Sequence, residues 1–369
     1  MRLLIVAGEL SGDLYGATLA KGLLELAPDT VLYGIGGEHL RSIVHTFIYE
    51  TAYSHDVGIK GNFTGWSRRH FFQALVTFIK NNPIDKVIII DFSHQNFALA
   101  KVFQQYRIPI ISWITPHFWI WGDKKKAKKV AAYSEKIIAI FQKEYDFYRQ
   151  FTDKVYYFGH PMVDIAKPHP STDPRPLTIT LFPGSRKQEL PLMLPKMLAI
   201  MQILSQQGSY RFYLAVSSER FLKKIQAMIA QSKGLKPEIW TGSKEDLFAQ
   251  TDFLICASGS ATLEAMLYRV PMVILGALPH LTYWIAKLIF RLDKRMPYVA
   301  LPNIMAGKEV IPEFVQYRMN PQAMADKIQK LLHPQEKQAL LEKYDQVLRS
   351  MNPGSSPILG VAECVLTNN

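Results

Sequence analysis

Cysteine is scarce in this chain, since only Cys256 and Cys364 occur in 369 residues. Two cysteines cannot form the dense disulfide framework of a small secreted protein. Cys256 also lies inside the apolar run from Phe253 to Ala257, which is typical of a buried strand. The low cysteine content therefore indicates a reducing compartment, and we expect a cytoplasmic protein.

Long uninterrupted apolar segments are also lacking. The N-terminal run Leu3–Ala7 is too short for the hydrophobic region of a signal peptide and enters a glycine turn at once. The stretch Pro271–Phe290 approaches the length of a bilayer span, yet it contains Pro279, His280 and Lys287. We therefore predict no transmembrane helix and no export.

Two motifs that would indicate a cofactor or metal are missing. No Asp-x-Asp sequence occurs, which argues against a metal-bridged diphosphate. Gly8 and Gly12 lack the spacing of the dinucleotide fingerprint, which disfavours a nicotinamide oxidoreductase. We predict neither a metal site nor a cofactor.

The composition is that of a globular protein with a basic surface. Hydrophobic residues make up 48% and charged residues 20%, and the length exceeds the roughly 250 to 300 residues at which single cores stop growing. The 43 Lys and Arg against 31 Asp and Glu give a net charge of +12. Two domains are therefore expected. The charge favours an anionic partner, such as diphosphates, an acidic membrane surface or nucleic acid, and a merely basic surface is the alternative.

Short Val/Ile-rich runs alternate with helical patterns, which predicts parallel sheets covered on both faces. The predicted strands are Leu3–Ala7, Val31–Gly34, Val87–Asp91, Ile108–Ile114, Ile137–Phe141 and Val155–Phe158, then Leu177–Leu181, Arg211–Val216, Glu238–Trp240, Phe253–Cys256 and Pro271–Leu275. A proline-rich stretch, residues 167–176, interrupts the pattern. The fold class is therefore α/β with two doubly wound domains, residues 1–170 and 171–351, that face a central cleft at the carboxyl ends of both sheets.

The end of the chain is helical in pattern. Pro321–Leu332 and Pro334–Met351 are amphipathic, and each begins with a proline where a first helical turn tolerates it. These helices could close back on either domain or meet a second subunit, so a homodimer is one possibility. Residues 352–369 are assigned to a tail.

The first candidate site is the strand-to-helix turn at residues 8–13. Its glycines, Gly8 and Gly12, allow a ligand to approach closely, and Glu9 makes a sugar hydroxyl a better ligand there than a pyrophosphate. Ser11 and Asp13 complete the turn. For those two residues, simple capping of the helix is an equal alternative.

Asp91 is the second candidate site, and it ends the predicted strand Val87–Asp91 at the carboxyl edge where a ligand crevice is expected. A partly desolvated carboxylate at that position suits a general base for a sugar hydroxyl, and a structural Asp is the alternative. His94 and Asn96 follow in the same loop and could line the site.

The corresponding turn of the second domain carries an arginine instead of a carboxylate. Gly184, Ser185 and Arg186 offer backbone N–H groups, a hydroxyl and a guanidinium to a diphosphate.

Two further loops of the second domain are candidates for the nucleotide. Small residues after the strand Phe253–Cys256 let a phosphate approach, and Glu264 is placed to accept hydrogen bonds from a ribose diol. The substrate-binding residues predicted in this segment are Ser258, Gly259, Ser260, Ala261, Thr262 and Glu264. Asn303, in a proline-glycine loop, can bridge donor and protein.

Two segments mix aromatic and cationic residues, as an interfacial surface that meets anionic lipid does. The residues predicted to contact lipid are Phe63, Trp66, Arg68, Arg69, Phe71 and Phe72. The stretch from Trp119 to Lys129 adds two tryptophans and five lysines. A core aromatic stripe beside a solvated charged face is the alternative, and no nucleic-acid module accompanies these residues, so no nucleic acid partner is predicted.

Together these motifs resemble the lipid-A-disaccharide synthase family of inverting glycosyltransferases with two-domain GT-B architecture. The resemblance runs from Ala7–Asp13 through Phe158–Pro161 and Pro183–Arg186 to Ser258–Glu264 and Leu301–Gly307. One loop departs from it: the family commonly has Asp-x-Pro-Asp-Phe-Asn, where this chain has Asp91-Phe-Ser-His-Gln-Asn96.

The resemblance implies transfer of an acylated glucosamine from UDP-2,3-diacylglucosamine to 2,3-diacylglucosamine 1-phosphate, on the inner face of the inner membrane. The family's essential positions fall on Glu9, Asp91, Arg186 and Asn303. Asp91, or else Glu9, is then the base, while Arg186 and N–H groups near Gly184 and residues 258–261 stabilise the leaving UDP. Another UDP-sugar enzyme, such as an epimerase or a different glycolipid transferase, and a non-catalytic homologue are the alternatives.

Overall fold

The computed structural model describes residues 1–51, 65–92, 95–116, 118–166, 176–184, 190–216, 221–259, 261–277, 298–351 and 354–367. Its contacts divide the chain into two compact units. The first unit comprises Met1–Ile165 together with Ser350–Asn369, and the second comprises Ala166–Arg349.

The first unit contains a seven-stranded, fully parallel sheet with the strand order β3-β2-β1-β4-β5-β6-β7. Its strands are β1 Arg2–Ala7, β2 Val31–Gly36, β3 Thr46–Glu50, β4 Lys86–Ile90, β5 Ile110–Trp113, β6 Lys136–Ala139 and β7 Val155–Tyr157. Its helices up to residue 165 are α1 Leu10–Leu26, α2 Glu38–Arg41, α3 Gly65–Asn81, α4 Asn96–Gln105, α5 Phe118–Trp121, α6 Lys124–Tyr133, α7 Gln142–Tyr148 and α8 Met162–Ile165. All five residues of β4 are buried, as expected for a central strand covered on both faces.

The second unit contains a six-stranded parallel sheet with the order β10-β9-β8-β11-β12-β13. Its strands are β8 Thr178–Phe182, β9 Arg211–Ala215, β10 Glu238–Trp240, β11 Phe253–Ala257, β12 Met272–Gly276 and β13 Glu313–Val315. Its helices are α9 Leu190–Gln207, α10 Leu222–Gln231, α11 Lys244–Ala249, α12 Ala261–Leu267, α13 Leu301–Ala306, α14 Pro321–Leu332 and α15 Pro334–Met351, with a short 3₁₀ helix at Gln316–Arg318.

The last helix, α16 (Pro357–Leu366), belongs to the first unit, where it packs along α1. Gly22 on α1 allows this contact, because a Cβ there would lie only 3.1 Å from the side chain of Ile358. The segment predicted as a tail is therefore mostly helical and completes the first domain.

The structure confirms two doubly wound parallel-sheet domains. The helices α14 and α15 have the predicted bounds. The strands β3 and β13 were not predicted from the sequence; both are half-buried edge strands, of only five and three residues. In the part of the chain that the structure describes, no helix combines the length and apolarity that crossing a membrane requires.

Candidate functional site

The turn after β1 packs directly against the loop after β4. The N–H of Gly8 donates to the carbonyl oxygen of Ile90 at 3.3 Å. A Cβ on residue 8 would lie 2.7 Å from the Cα of Phe92 and would overlap its ring. Glycine is therefore required at this position by the close approach of the two loops, which brings the neighbourhood of Glu9 next to that of Asp91.

Asp91 is half-buried at the carboxyl end of β4 and has a φ of 40°, in the left-handed region. Its N–H donates to the carbonyl oxygen of Ile114 at 3.3 Å, and Ile114, at the end of β5, also has a positive φ of 57°. Asp tolerates the left-handed region better than most side chains. The backbone thus turns sharply where this carboxylate leaves the sheet, at the edge predicted to bind the acceptor.

The remaining residues of the first turn have different environments. Glu9 is exposed and is the N-cap residue of α1, without a side-chain capping bond to that helix. Ser11 is half-buried, and Gly12 is buried. Asp13 is fully buried, and its carboxylate accepts the backbone N–H groups that begin α2, from Gly37, His39 and Leu40 at 2.6, 3.0 and 3.2 Å. The predicted substrate contact of Asp13 is therefore revised to a supporting role, because both of its oxygens bind the neighbouring helix.

Glu144, on α7, forms hydrogen bonds with the residues that follow β5 and β6. One carboxylate oxygen accepts from the hydroxyl and N–H of Thr115 at 2.5 and 3.3 Å, and the other accepts from the N–H of Ile140 at 2.9 Å. Complete burial raises the pKa of Glu144 to about 7, although these hydrogen bonds oppose the shift. The carboxyl edge beside Asp91 is thus held together by a buried acid.

His160 is a buried ring at the end of the first unit's sheet region. Its Nδ1 accepts the N–H of Met162 at 3.2 Å, and its ring packs against Tyr15 and Phe141 with centroids 6.0 and 5.3 Å away. The backbone N–H of His160 donates to the carbonyl oxygen of Met351 at 3.1 Å. Burial lowers the pKa of His160 to about 3, so it is a neutral structural residue that fixes the returning C-terminal segment.

In the second unit, Gly184 follows β8 with a φ of 96°, a conformation that favours glycine. After β11, the Ser258 hydroxyl donates to the carbonyl oxygen of Val299 at 2.7 Å, and its N–H donates to Leu275. This N–H is therefore not available to a phosphate. A Cβ on Gly259 would meet no atom of the described residues within 4 Å, which leaves the backbone there room for a ligand.

The start of α12 is more tightly bonded than the sequence suggests. Ala261 is half-buried, whereas Thr262 is fully buried and its hydroxyl donates to the carbonyl oxygen of Gly259 at 2.7 Å. Glu264 is nearly buried and forms an ion pair with Lys244. Thr262 therefore supports the turn, while Glu264 is held by a cation from another helix.

Asn303 is fully buried on α13, and its amide is completely bonded within the protein. Its Nδ2 donates to Ile311 and Glu313 at 2.7 and 2.8 Å, and its Oδ1 accepts from Val310 and Ile311 at 2.7 and 2.9 Å. The predicted bridge to the donor is therefore revised: Asn303 ties α13 to the strand β13 and leaves no hydrogen-bonding atom for a ligand.

Glu313, which was not predicted from the sequence, completes the hydrogen bonds between α13 and β13. Its carboxylate also accepts the N–H groups of Val299 and Ala300, both at 2.8 Å, at the start of α13. Burial raises the pKa of Glu313 despite these bonds. The signal in the sequence is weak, because Glu313 begins a three-residue edge strand.

The predicted lipid-contact residues on α3 separate into two groups. Arg68 and Arg69 are exposed, and Arg68 lies over the ring of Phe72, which is half-buried. Phe71 is fully buried in the core formed with Phe92 and neighbouring apolar residues. The prediction is wrong for Phe71, because a side chain packed inside the sheet core cannot contact lipid.

Several predicted residues lie outside the described part of the chain. They are Ser185, Arg186, Ser260, Phe63, His94 and the side chain of Trp66. Asn96 is buried at the start of α4, and its Oδ1 has no hydrogen-bond partner among the described residues.

Comparison with known proteins gives a family and a fold. The family model described as lipid-A-disaccharide synthetase matches residues 3–355. The lipid-A-disaccharide synthase of Geobacter sulfurreducens is 32% identical over 89% of this chain and 85% of its own length. The lipid-A-disaccharide synthase of Coxiella burnetii (strain Dugway 5J108-111) is 30% identical over 96% of this chain and 95% of its own length.

Solved structures with low identity share the fold. UDP-GlcNAc 2-epimerase from Neisseria meningitidis, bound to UDP-GlcNAc, has a TM-score of 0.64 at 12% identity over 100% of both chains. MurG from Acinetobacter baumannii has a TM-score of 0.55 at 14% identity, over 99% of this chain and 98% of its own.

At these identities the solved structures establish the two-domain fold alone. The family match over residues 3–355 and the relatives that align over most of their length carry more weight. This chain belongs to the lipid-A-disaccharide synthetase family and is a glycosyltransferase of lipid A disaccharide synthesis.

Proposed function

We propose that the enzyme transfers 2,3-diacylglucosamine from its UDP derivative to the 6-hydroxyl group of 2,3-diacylglucosamine 1-phosphate. The products are the β-1,6-linked disaccharide 1-phosphate and UDP, with inversion at the anomeric carbon. Family membership supports the reaction class. The observation that carries the mechanism is the half-buried carboxylate of Asp91 at the carboxyl end of β4, beside the glycine turn.

In this mechanism the acceptor oxygen attacks the anomeric carbon while its proton passes to Asp91. The bond from the anomeric carbon to the phosphate oxygen breaks, and UDP leaves with the electron pair. Arg186 and the backbone near Gly184 and Gly259 stabilise the charge that develops on the diphosphate. Glu264 accepts hydrogen bonds from the ribose hydroxyls.

The base assignment is tested by Asp91→Asn and Glu9→Gln. A general base contributes about 10²- to 10⁴-fold, so we expect Asp91→Asn to lower kcat by that factor. Asn accepts the left-handed φ of residue 91, so the fold is retained. Glu9→Gln is the matched control. A larger loss of kcat in Glu9→Gln than in Asp91→Asn would transfer the role of base to Glu9.

The substrates are tested by mass spectrometry of the products. UDP-diacylglucosamine with diacylglucosamine 1-phosphate should give the disaccharide 1-phosphate and stoichiometric UDP. Epimerisation of UDP-N-acetylglucosamine without that product would favour an epimerase. UDP binding without turnover of any donor-acceptor pair would indicate a non-catalytic homologue.

We also propose that the first unit binds an anionic membrane surface, at the inner face of the inner membrane, where lipid substrates would be met. The amphipathic helix α6 supports this proposal. It buries Ala127 and Val130 and exposes five lysines, at positions 124, 125, 126, 128 and 129. Three of their ammonium groups lie 5.4 to 6.0 Å from the centroids of the phenylalanine rings of Phe118, Phe151 and Phe97. Cations placed over half-buried aromatic rings match the chemistry of a lipid headgroup region.

A further inference from the structure

Lys244 and Glu264 form an ion pair in the second unit that no pattern in the sequence indicates. The Nζ of Lys244 lies 2.5 Å from Oε2 of Glu264. The side chain of Glu264 is 10% exposed and that of Lys244 is 50% exposed. A nearly buried carboxylate loses most of its hydration, and the ammonium offsets that loss at one of its two oxygens.

Lys244 is held in place by a short, well-bonded turn. Ser243 is the N-cap of α11: its hydroxyl accepts the N–H of Asp246 at 3.0 Å and donates to the Asp246 carboxylate at 2.7 Å. The indole N–H of Trp240 donates to the carbonyl oxygen of Ser243 at 3.0 Å. The backbone before Lys244 is therefore fixed to the end of β10, from which the lysine side chain reaches Glu264.

The pair lies at the carboxyl edge of the second sheet. Lys244 follows the carboxyl end of β10, and Glu264 follows that of β11. The strands β9 and β8 separate β10 from β11 in the sheet, so the pair joins segments from strands about 14 Å apart. The turn at Gly184 leaves the same edge between them, after β8.

We propose that Lys244 is a positioning residue of the nucleoside diphosphate site. Its ammonium holds Oε2 of Glu264, which fixes the carboxylate so that Oε1 accepts the hydroxyl groups of the ribose. Among the described residues, none is hydrogen-bonded to Oε1. This inference rests on the proposed function, because it requires a nucleotide at this edge, and it adds a residue that neither the family motifs nor the sequence pattern assign.

Calorimetric binding of two ligands to Lys244→Met tests the role. UDP carries both ribose hydroxyls, and 2′,3′-dideoxyuridine diphosphate carries neither. Loss of a charge-assisted contact predicts about tenfold weaker UDP binding by Lys244→Met. The dideoxy ligand should bind wild type and Lys244→Met equally, because it offers Glu264 no hydroxyl to hold. Lys244→Arg should restore most of the UDP affinity.

Turnover separates positioning from catalysis. We expect the KM for UDP-diacylglucosamine to rise about tenfold in Lys244→Met, with kcat within about twofold of wild type. Lys330→Met removes another exposed lysine ion pair of the second unit, with Glu336, and should change neither quantity.

Three results would overturn the inference. Unchanged UDP binding by Lys244→Met would show that Lys244 does not position Glu264 for the nucleotide. An equal loss for UDP and the dideoxy ligand would mean that Lys244 acts on the diphosphate directly. If wild type itself binds no UDP, the proposed function and this inference both fail, whereas the first two results leave wild-type UDP binding intact and overturn only the role of Lys244.

Discussion

The Nζ of Lys86 donates to the carbonyl oxygen of Thr367 at 2.9 Å, although the two residues lie 281 positions apart. Lys136 donates to the same carbonyl oxygen at 3.0 Å and to that of Cys364 at 2.8 Å. Both lysines are buried at the amino ends of their strands. They thus satisfy the free carbonyl groups at the end of α16 and place two cations at the negative end of its dipole.

Lys136→Met should therefore destabilise the first unit. The substitution keeps the aliphatic stem but leaves buried carbonyl groups with fewer donors, which costs about 1–3 kcal/mol. The measurement is the urea midpoint followed by circular dichroism. Lys154→Met, at an exposed position, is the control, and an equal midpoint in the two variants would contradict a role for the buried ammonium.

Gly8→Ala should reduce both stability and activity. A methyl group on residue 8 meets the backbone and ring of Phe92, so the loop that carries Asp91 must shift, at a cost of about 1–3 kcal/mol. Gly12→Ala is the matched control for stability, because a Cβ on residue 12 would have its nearest contact at 3.4 Å and alanine favours the helix interior. Thermal unfolding and kcat are measured for both. If Gly8→Ala keeps the kcat of wild type, the close approach of the two loops does not matter for catalysis.

Acid should destabilise the first unit through His160. Burial lowers the pKa of His160 from about 6.5 to about 3, so the fold favours the neutral ring. The stability that this contributes is complete above pH 6.5 and is lost as the pH falls towards 3. His160→Asn, whose Oδ1 can still accept from Met162, should flatten the decline of the urea midpoint between pH 6.5 and 4. His333→Asn, at an exposed position, should leave the decline as steep as in wild type.

Glu144 should act in the opposite direction. Burial raises the pKa of Glu144 from 4.5 to about 7, so the fold favours the protonated acid. Its contribution is complete below pH 4.5 and is lost as the pH rises through 7. Glu144→Gln should therefore show a smaller drop in Tm between pH 6 and pH 8 than wild type, even though it is less stable at both. An unchanged drop would show that another group titrates in this range.

The lysines of α6 should govern binding to anionic vesicles. Each lysine near a charged bilayer contributes about 1 kcal/mol, so Lys124→Glu with Lys125→Glu should weaken partitioning into phosphatidylglycerol vesicles at least about tenfold. Higher salt should reduce wild-type binding. The control, Lys223→Glu with Lys224→Glu, changes two exposed lysines on α10 of the second unit. Equal sedimentation of the two double variants with vesicles would show that the lysines of α6 do not contribute to membrane binding.

The sequence by itself determined the fold class and the edge at which chemistry is expected. Central strands such as β4 are buried on both faces, so their continuous Ile and Val runs identify them without any tertiary information. Because parallel strands end at one edge, the run that ends at Asp91 also predicts where its carboxylate leaves the sheet. Local patterns were sufficient there because the information lies within a few consecutive residues.

Only the tertiary structure decided which distant side chains meet. Phe71 lies in a segment that mixes aromatic and cationic residues, as an interface does, yet it packs in the core. Asn303 matches a substrate motif, yet its amide is bonded within the protein. The contacts from Lys86 to Thr367 and from Lys244 to Glu264 join segments whose patterns are independent. Periodicity reports which face of an element is buried, but the packing of helices and loops on the sheet selects the partner.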